Sequence, residues 1–373
     1  AKKLLKAFEK EILKDEIPLP RNMSFKQLWD LYLRDHVSVA DSPNTLEWYK
    51  KVAKRILPYF GHMRVSAIAP AHVSGFYAFL QGGVSAETVR HYQRALRAVF
   101  NFAIRYRITK ENPVQYVKPP KAERREPAIY DAEGIGRMLA ALSHEPLKWQ
   151  ALVMLTVSTG MRRGEVAGLK WSDIDLDKRM LSIERAVQYL PERGVIVGST
   201  KTPESKRRIA IPEVSAALLM AWKREQKRAL IKRYNRLKRS HVVEADTLSY
   251  LERLRDRINN NDNEFIWEQY DGQPILPDSI TKFWTRFREK NNLPPVTFHG
   301  LRHTLASVSL ASGIDVKTIS KVLGHSKTDV TLNIYAHALE NAGQKVASLW
   351  DGILAQKWHT SGTSAKHDTK NGY

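Results

Sequence analysis

The chain has 373 residues, sets 60 lysines and arginines against 39 acidic residues for a net charge of +21, and contains no cysteine. Without cysteine there is no disulfide framework and no thiolate metal site, and no run of about 18 apolar residues marks a membrane span. So basic a balance points to a polyanionic partner, nucleic acid ahead of a membrane because no segment reads as a lipid anchor; a soluble, cytoplasmic protein is expected.

Residues 1–22 read as a basic leader, a short amphipathic helix followed by the proline-broken spacer Ile17-Pro-Leu-Pro-Arg21. Glu9 and Glu11 argue against a signal peptide. From Ser24, a good N-cap, Phe25, Leu28, Trp29, Leu31, Tyr32 and Leu33 outline an apolar helix face. A second helix opens at 42–45, with Leu46, Tyr49, Val52, Ala53, Ile56 and Phe60 on one side. Lys50, Lys51, Lys54 and Arg55 lie on the other, and Gly61 ends it. A third spans 70–80. The fourth follows Ser85, with Val89, Tyr92, Leu96, Val99 and Ala103 at helical spacing and Arg90, Arg94 and Arg97 in a separate stripe. Such a bundle suits a phosphate backbone, and Lys50, Lys54, Arg90, Arg94 and Arg97 are its candidate DNA contacts. A merely solvated face has the same pattern.

Asn112-Pro113 stops this first domain, 23–116, and the proline-rich, charged stretch 117–130 is the expected linker. The second domain, 131–340, opens with helical patterns at 131–143 and 147–158. Residues 180–187 alternate like one strand, 194–197 reads as its partner, and 207–211 adds a third strand before Pro212. Helices are predicted at 213–240, 246–259, 278–291, 299–312, 315–323 and 329–340. Among them 222–262 is a charged insertion read as a helical hairpin projecting from the domain, with a thin seam of Leu248, Leu251, Leu254 and Ile258. DNA contact, protomer contact and a solvated insertion all fit it. Residues 341–358 form a last amphipathic helix, and 359–373 a polar, disordered tail. The fold class is mainly α with a small antiparallel β-sheet, in two domains.

The chemistry-bearing residues sit in separate segments: Thr159-Gly-Met-Arg-Arg-Gly-Glu165; Lys201 in a polar turn before Arg-Ile-Ala-Ile-Pro; His299-Gly-Leu-Arg-His-Thr304; and Leu323-Gly-His325, followed ten residues later by Tyr335-Ala-His. Singly each has a bland reading: a surface His/Arg pair, a turn lysine, a core tyrosine. As an ordered set, a tyrosine hydroxyl, two arginines, histidines and a lysine are what phosphoryl transfer to a protein oxygen requires without a metal.

This set, in this order and spacing, resembles the tyrosine recombinase (phage integrase) family, and the resemblance runs from about Phe25 to Trp350. Nothing departs from the family's catalytic pattern, whereas 222–262 is longer than compact members need. The resemblance implies a C-shaped clamp of a helical core-binding domain and a catalytic domain, closing on double-stranded DNA core or attachment sites. It assigns Arg162, Lys201, His299, Arg302, His325 and Tyr335 to catalysis, Tyr335 as nucleophile, with Glu165 as a supporting residue and Arg163 passed over. It implies cleavage through a 3′-phosphotyrosyl link, exchange through a Holliday junction, a homotetramer joined by the 341–358 helix, and accessory directionality or bending proteins. No metal and no cofactor are implied. Two other readings compete: a type IB topoisomerase, which would relax supercoils without forming recombinants, and an architectural DNA-binding protein with a decayed site.

Overall fold

In the computed structural model the described residues are 22–38, 43–121, 127–199, 205–239, 245–259 and 264–324. The chain divides between Arg125 and Glu126 into two units, a point inside the proline-rich stretch 117–130. Among the described residues no helix is long and apolar enough to cross a membrane.

The first unit contains α1 (Phe25–Tyr32), α2 (Pro43–Phe60), α3 (Pro70–Gln81) and α4 (Ala86–Arg105). Ser24 caps α1 reciprocally with Gln27: the Ser24 hydroxyl accepts from the Gln27 amide at 3.2 Å, and the Gln27 side chain accepts from the Ser24 amide at 2.9 Å. A π-helical turn, Leu33–Val37, extends it. The expected apolar faces are buried. Phe25, Trp29, Phe60, Phe76 and Phe100 are almost wholly excluded from solvent, and Phe25 lies 5.6 Å, centroid to centroid, from both Phe60 and Phe100. Burial of this kind stabilises by roughly 2–3 kcal/mol per large side chain. Asn112 closes the bundle from within: its Nδ2 donates to the Arg97 carbonyl and to Asn101 Oδ1 at 3.1 and 2.8 Å, and its Oδ1 accepts from the Val114 amide at 3.0 Å. A buried amide so satisfied fixes the chain exit before Pro113.

The second unit is built around α6 (Leu147–Thr159), against which α8 (Glu213–Arg239) and α11 (Gly300–Ala311) pack. Flanking them are α5 (Ala132–Leu142), the short α7 (Arg163–Ala167), α9 (Ala245–Asn259), α10 (Pro277–Lys290) and α12 (Val316–Leu323). Leu152, Leu155, Trp267, Trp284 and Leu301 lie at the centre of its core.

The strands differ from expectation. Instead of one strand over 180–187, β2 (Met180–Ile183) and β3 (Arg185–Leu190) belong to different antiparallel sheets. In the first sheet β2 lies between β1 (Ile174–Asp175) and β5 (Arg207–Ala210), with Leu181 opposite Ile209; in the second β3 pairs with β4 (Gly194–Ser199), with Val187 opposite Val197. An unbroken strand would put Arg185 in the same inward row as Leu181, Ile183 and Val187. The chain breaks at Glu184, and Arg185 turns to the Asp173 carboxylate and the Gly168 carbonyl instead.

The charged insertion is also corrected. It is a helical pair, α8 and α9, but its base does not project: the Trp222 indole donates to the Ile266 carbonyl, and Gln226 bridges the Trp171 indole and the Phe265 carbonyl. Arg233 lies 3.1 Å from the Tyr270 ring centroid. Of the expected seam only Leu254 is fully buried, while Leu248 is half-exposed.

Candidate active site

Helix α6 ends at Gly160, which takes the left-handed conformation (φ 63°) and reverses the chain into Met161 and Arg162. Arg162 then caps α7. Its backbone amide donates to Glu165 Oε2 at 2.9 Å, its Nη1 donates to Glu165 Oε1 at 2.8 Å, and its Nη2 donates to the Gly324 carbonyl at 3.0 Å. A capping geometry thus holds a guanidinium that keeps 38% of its side-chain surface open to solvent, over a carboxylate that keeps 3%. Arg163 points elsewhere, to Asp278 and Thr281 on α10 at 3.0 and 2.6 Å.

Glu165 has a second cationic partner that sequence reasoning missed. Arg207, at the start of β5, donates to both Glu165 oxygens at 3.0 and 3.3 Å, to the Ser205 carbonyl at 3.0 Å and to the Val322 carbonyl at 2.7 Å. Strand parity was the available signal, since Arg207 shares the inward row with Ile209 while Arg208 is exposed. Burial alone would raise the Glu165 pKa, but hydrogen bonds and charge from Arg207 and Arg162 outweigh it and hold the carboxyl below its ordinary value. Glu165 is therefore an ionised hub between two arginines.

Arg302 enters from α11. It is 2% exposed and its Nη1 donates to the Gly160 carbonyl at 2.8 Å. His299 stands just before this helix at its N-cap, and its ring lies edge-on to that of His303 with centroids 4.9 Å apart. Burial, then the charges of Arg302 and Arg162, push the His299 pKa down against the opposing pull of Glu165. Burial, His299 and Arg302 push His303 further, to about 4. Both imidazoles are neutral at pH 7, so each keeps a nitrogen lone pair able to accept a proton or a hydrogen bond.

Four of the sequence-derived residues, Arg162, Glu165, His299 and Arg302, thus share one electrostatic environment. Lys201, His325 and Tyr335 lie outside the described residues; Gly324, whose carbonyl Arg162 holds, immediately precedes His325. In the first unit Lys51, Lys54, Arg55, Arg94 and Arg97 are exposed. Lys50 pairs with Glu47 at 2.9 Å, Arg94 with Glu87 at 2.9 Å, and Arg90 Nε donates to the Pro120 carbonyl at 3.3 Å.

Two buried-to-half-exposed guanidiniums beside neutral imidazoles are suited to gripping an oxyanion while leaving a proton acceptor at hand. Comparison with known proteins gives this chemistry its class. A sequence profile described as the phage integrase family matches residues 130–342, and one described as the phage integrase N-terminal SAM-like domain matches residues 24–81. The protein is a tyrosine-type site-specific recombinase. It belongs to the phage integrase family. A tyrosine recombinase XerC-like protein of Caldanaerobacter subterraneus is 28% identical over 292 residues, covering 74% of this chain and 69% of its own. The ICEBs1 integrase of Bacillus subtilis is 24% identical over 336 residues, 90% of this chain and 84% of its own. The fold matches that of the Tn1549 transposon integrase, solved with a circular intermediate DNA, at a TM-score of 0.69 and 18% identity, over 88% of this chain and 99% of that one.

Proposed function

We propose that this recombinase integrates and excises a phage or conjugative mobile element by cleaving and rejoining duplex DNA at core or attachment sites. The Tyr335 hydroxyl attacks the scissile phosphorus; a 3′-phosphotyrosyl bond forms as the phosphorus–O5′ bond breaks. His299 takes the tyrosine proton, Lys201 gives one to the departing 5′-oxygen, and His325 hydrogen-bonds the phosphate. Arg162 and Arg302 hold the non-bridging oxygens as charge builds on them. The phosphodiester's energy is kept in the tyrosyl link, so attack by the 5′-hydroxyl of another strand completes exchange without ATP. Because the arginines and Lys201 supply the charge a divalent cation supplies elsewhere, the reading needs neither metal nor cofactor.

Exchanging both strands of two duplexes takes four tyrosyl links, hence a homotetramer working through a Holliday junction, with 341–358 as the helix docking on a neighbouring protomer. The 23–116 bundle serves as the core-DNA-binding domain, with Lys50, Lys54, Arg90, Arg94 and Arg97 on phosphates, and the protein acts in the cytoplasm.

The observation that carries this reading is the Glu165 hub, which fixes Arg162 beside His299 and Arg302 although Arg302 bonds across 142 residues of sequence. A duplex nicked just past the scissile phosphate should trap covalent protein–DNA in EDTA. Failure of wild type to form the adduct, or an equal yield from Tyr335→Phe, would refute it; recombinants between two marked sites, against relaxed supercoils alone, separate it from a topoisomerase.

A further inference from the structure

The helical pair α8–α9 takes no part in the cluster around Glu165, yet it holds the densest positive charge of the chain: residues 223–239 include nine lysines and arginines and a single acid, Glu225. We infer that the outer face of α8 is a second nucleic-acid surface, one that grips the phosphate backbone of duplex DNA independently of the arginine cluster.

The arrangement of that charge is specific. At 100° per residue, Arg224, Lys227, Arg228, Lys232, Lys238 and Arg239 all fall on one side of α8, and all six are exposed. The opposite side carries Trp222, Gln226, Leu230 and Arg233, the residues that face the domain. The stripe therefore runs for about 22 Å along a helix whose other face is bolted down. Over that length one strand of B-DNA presents roughly six phosphates.

The partner helix sharpens the contrast. The exposed charges of α9 are mixed: Glu252 and Asp256 against Arg253 and Arg255. A helix pair kept soluble by charge alone has no need to sort its signs this way, with cations on one helix and a balanced surface on the other. Self-repulsion along the α8 stripe costs stability, and a polyanion relieves it by releasing condensed counterions. Neutralising the hydrogen-bonded base, by contrast, has no bearing on this: Arg257 is already committed to Glu264 and Glu268.

The test is the salt dependence of binding to a duplex of unrelated sequence, read by fluorescence anisotropy with the whole protein, so that neither cleavage nor site recognition enters. Replacing Arg224, Arg228 and Lys232 together by glutamine should flatten the slope of log affinity against log salt by about 2–3. The affinity lost between 50 and 200 mM salt should then be smaller by about 40-fold than for wild type. A charge-preserving triple, Arg224→Lys, Arg228→Lys and Lys232→Arg, should keep the wild-type slope. An independent triple on the same stripe, Lys227, Lys238 and Arg239 to glutamine, should repeat the flattening, which guards against a fold defect in the first. Wild-type slopes in both glutamine triples would overturn the inference and leave α8 a solvated face or a docking site for an acidic protein. Because the DNA is uncleavable in this assay, failure here leaves the Tyr335 reading standing, and a missing phosphotyrosyl adduct leaves this one standing.

Discussion

The Arg207 guanidinium donates to both carboxylate oxygens of Glu165, in an ion pair whose side chains are 6% and 3% exposed. The same carboxylate holds Arg162 by side chain and backbone. Removing its charge leaves a buried arginine uncompensated, a defect of about 3–5 kcal/mol. Glu165→Gln should therefore lower unfolding stability by roughly 3 kcal/mol in denaturant titration and cut adduct yield on nicked DNA even below the melting temperature. Unchanged stability would mean that Arg207 finds other compensation.

Arg162→Lys and Arg302→Lys keep one charge but lose the planar fork. Each should slow adduct formation by about 10²–10³-fold, the cost typical of losing an oxyanion donor. The two should part company in stability: Arg302 is 2% exposed and holds the Gly160 carbonyl, whereas Arg162 is partly open. A melting-temperature drop is expected for Arg302→Lys and little change for Arg162→Lys.

His303 is held at about 4 against an ordinary 6.5. Its contribution to stability is complete above about 6.5; as pH falls from there toward 4 the unfolded chain takes the proton first, and the contribution is lost. His299 acts in the same direction. Discounted for the solvent screening of a half-buried ring, the shift corresponds to a loss on the order of 2 kcal/mol, and Glu165, whose pKa is lowered, adds a further loss below its ordinary 4.5. Unfolding midpoints measured between pH 7 and 4.5 should fall more steeply for wild type than for His303→Asn. Equal slopes would remove His303 as the cause.

Gly324 ends α12 at φ 66°, and a Cβ there would lie 2.9 Å from Arg207 Nη1. Gly324→Ala should cost about 1–2 kcal/mol in backbone strain and shift the carbonyl that Arg162 holds. Slower cleavage with a retained fold is expected, and wild-type rates would show that this carbonyl does not position Arg162.

The bundle of the first unit could be read directly from the chain, because its first and fourth helices start at capping serines, Ser24 before Phe25 and Ser85 before Ala86, and repeat their apolar positions at the helical period. The stop of the helical run at Asn112-Pro113 was also legible, though the hydrogen bonds that make Asn112 a buried clasp were not. In the second unit the ordered motifs named Arg162, Glu165, His299 and Arg302, while the second partner of Glu165 escaped. Arg207 looks like any arginine of a basic turn until Glu165 is beside it, and that proximity is a tertiary fact. The break at Glu184 was missed for a related reason: alternation continues through it, and only the partners of Arg185 reveal two sheets.

Gly160 also bears on the family signature itself. A Cβ at this position would fall 2.6 Å from Leu323 Cδ2 and 2.9 Å from Leu305 Cδ2. The first motif and the leucine that opens the last one are therefore a single steric object, written at opposite ends of the domain. A chimera of two recombinases joined anywhere between them has to inherit this contact as a matched set. Inheritance of the motif letters alone is not enough if the residue at 323 comes from a lineage that packs the gap differently.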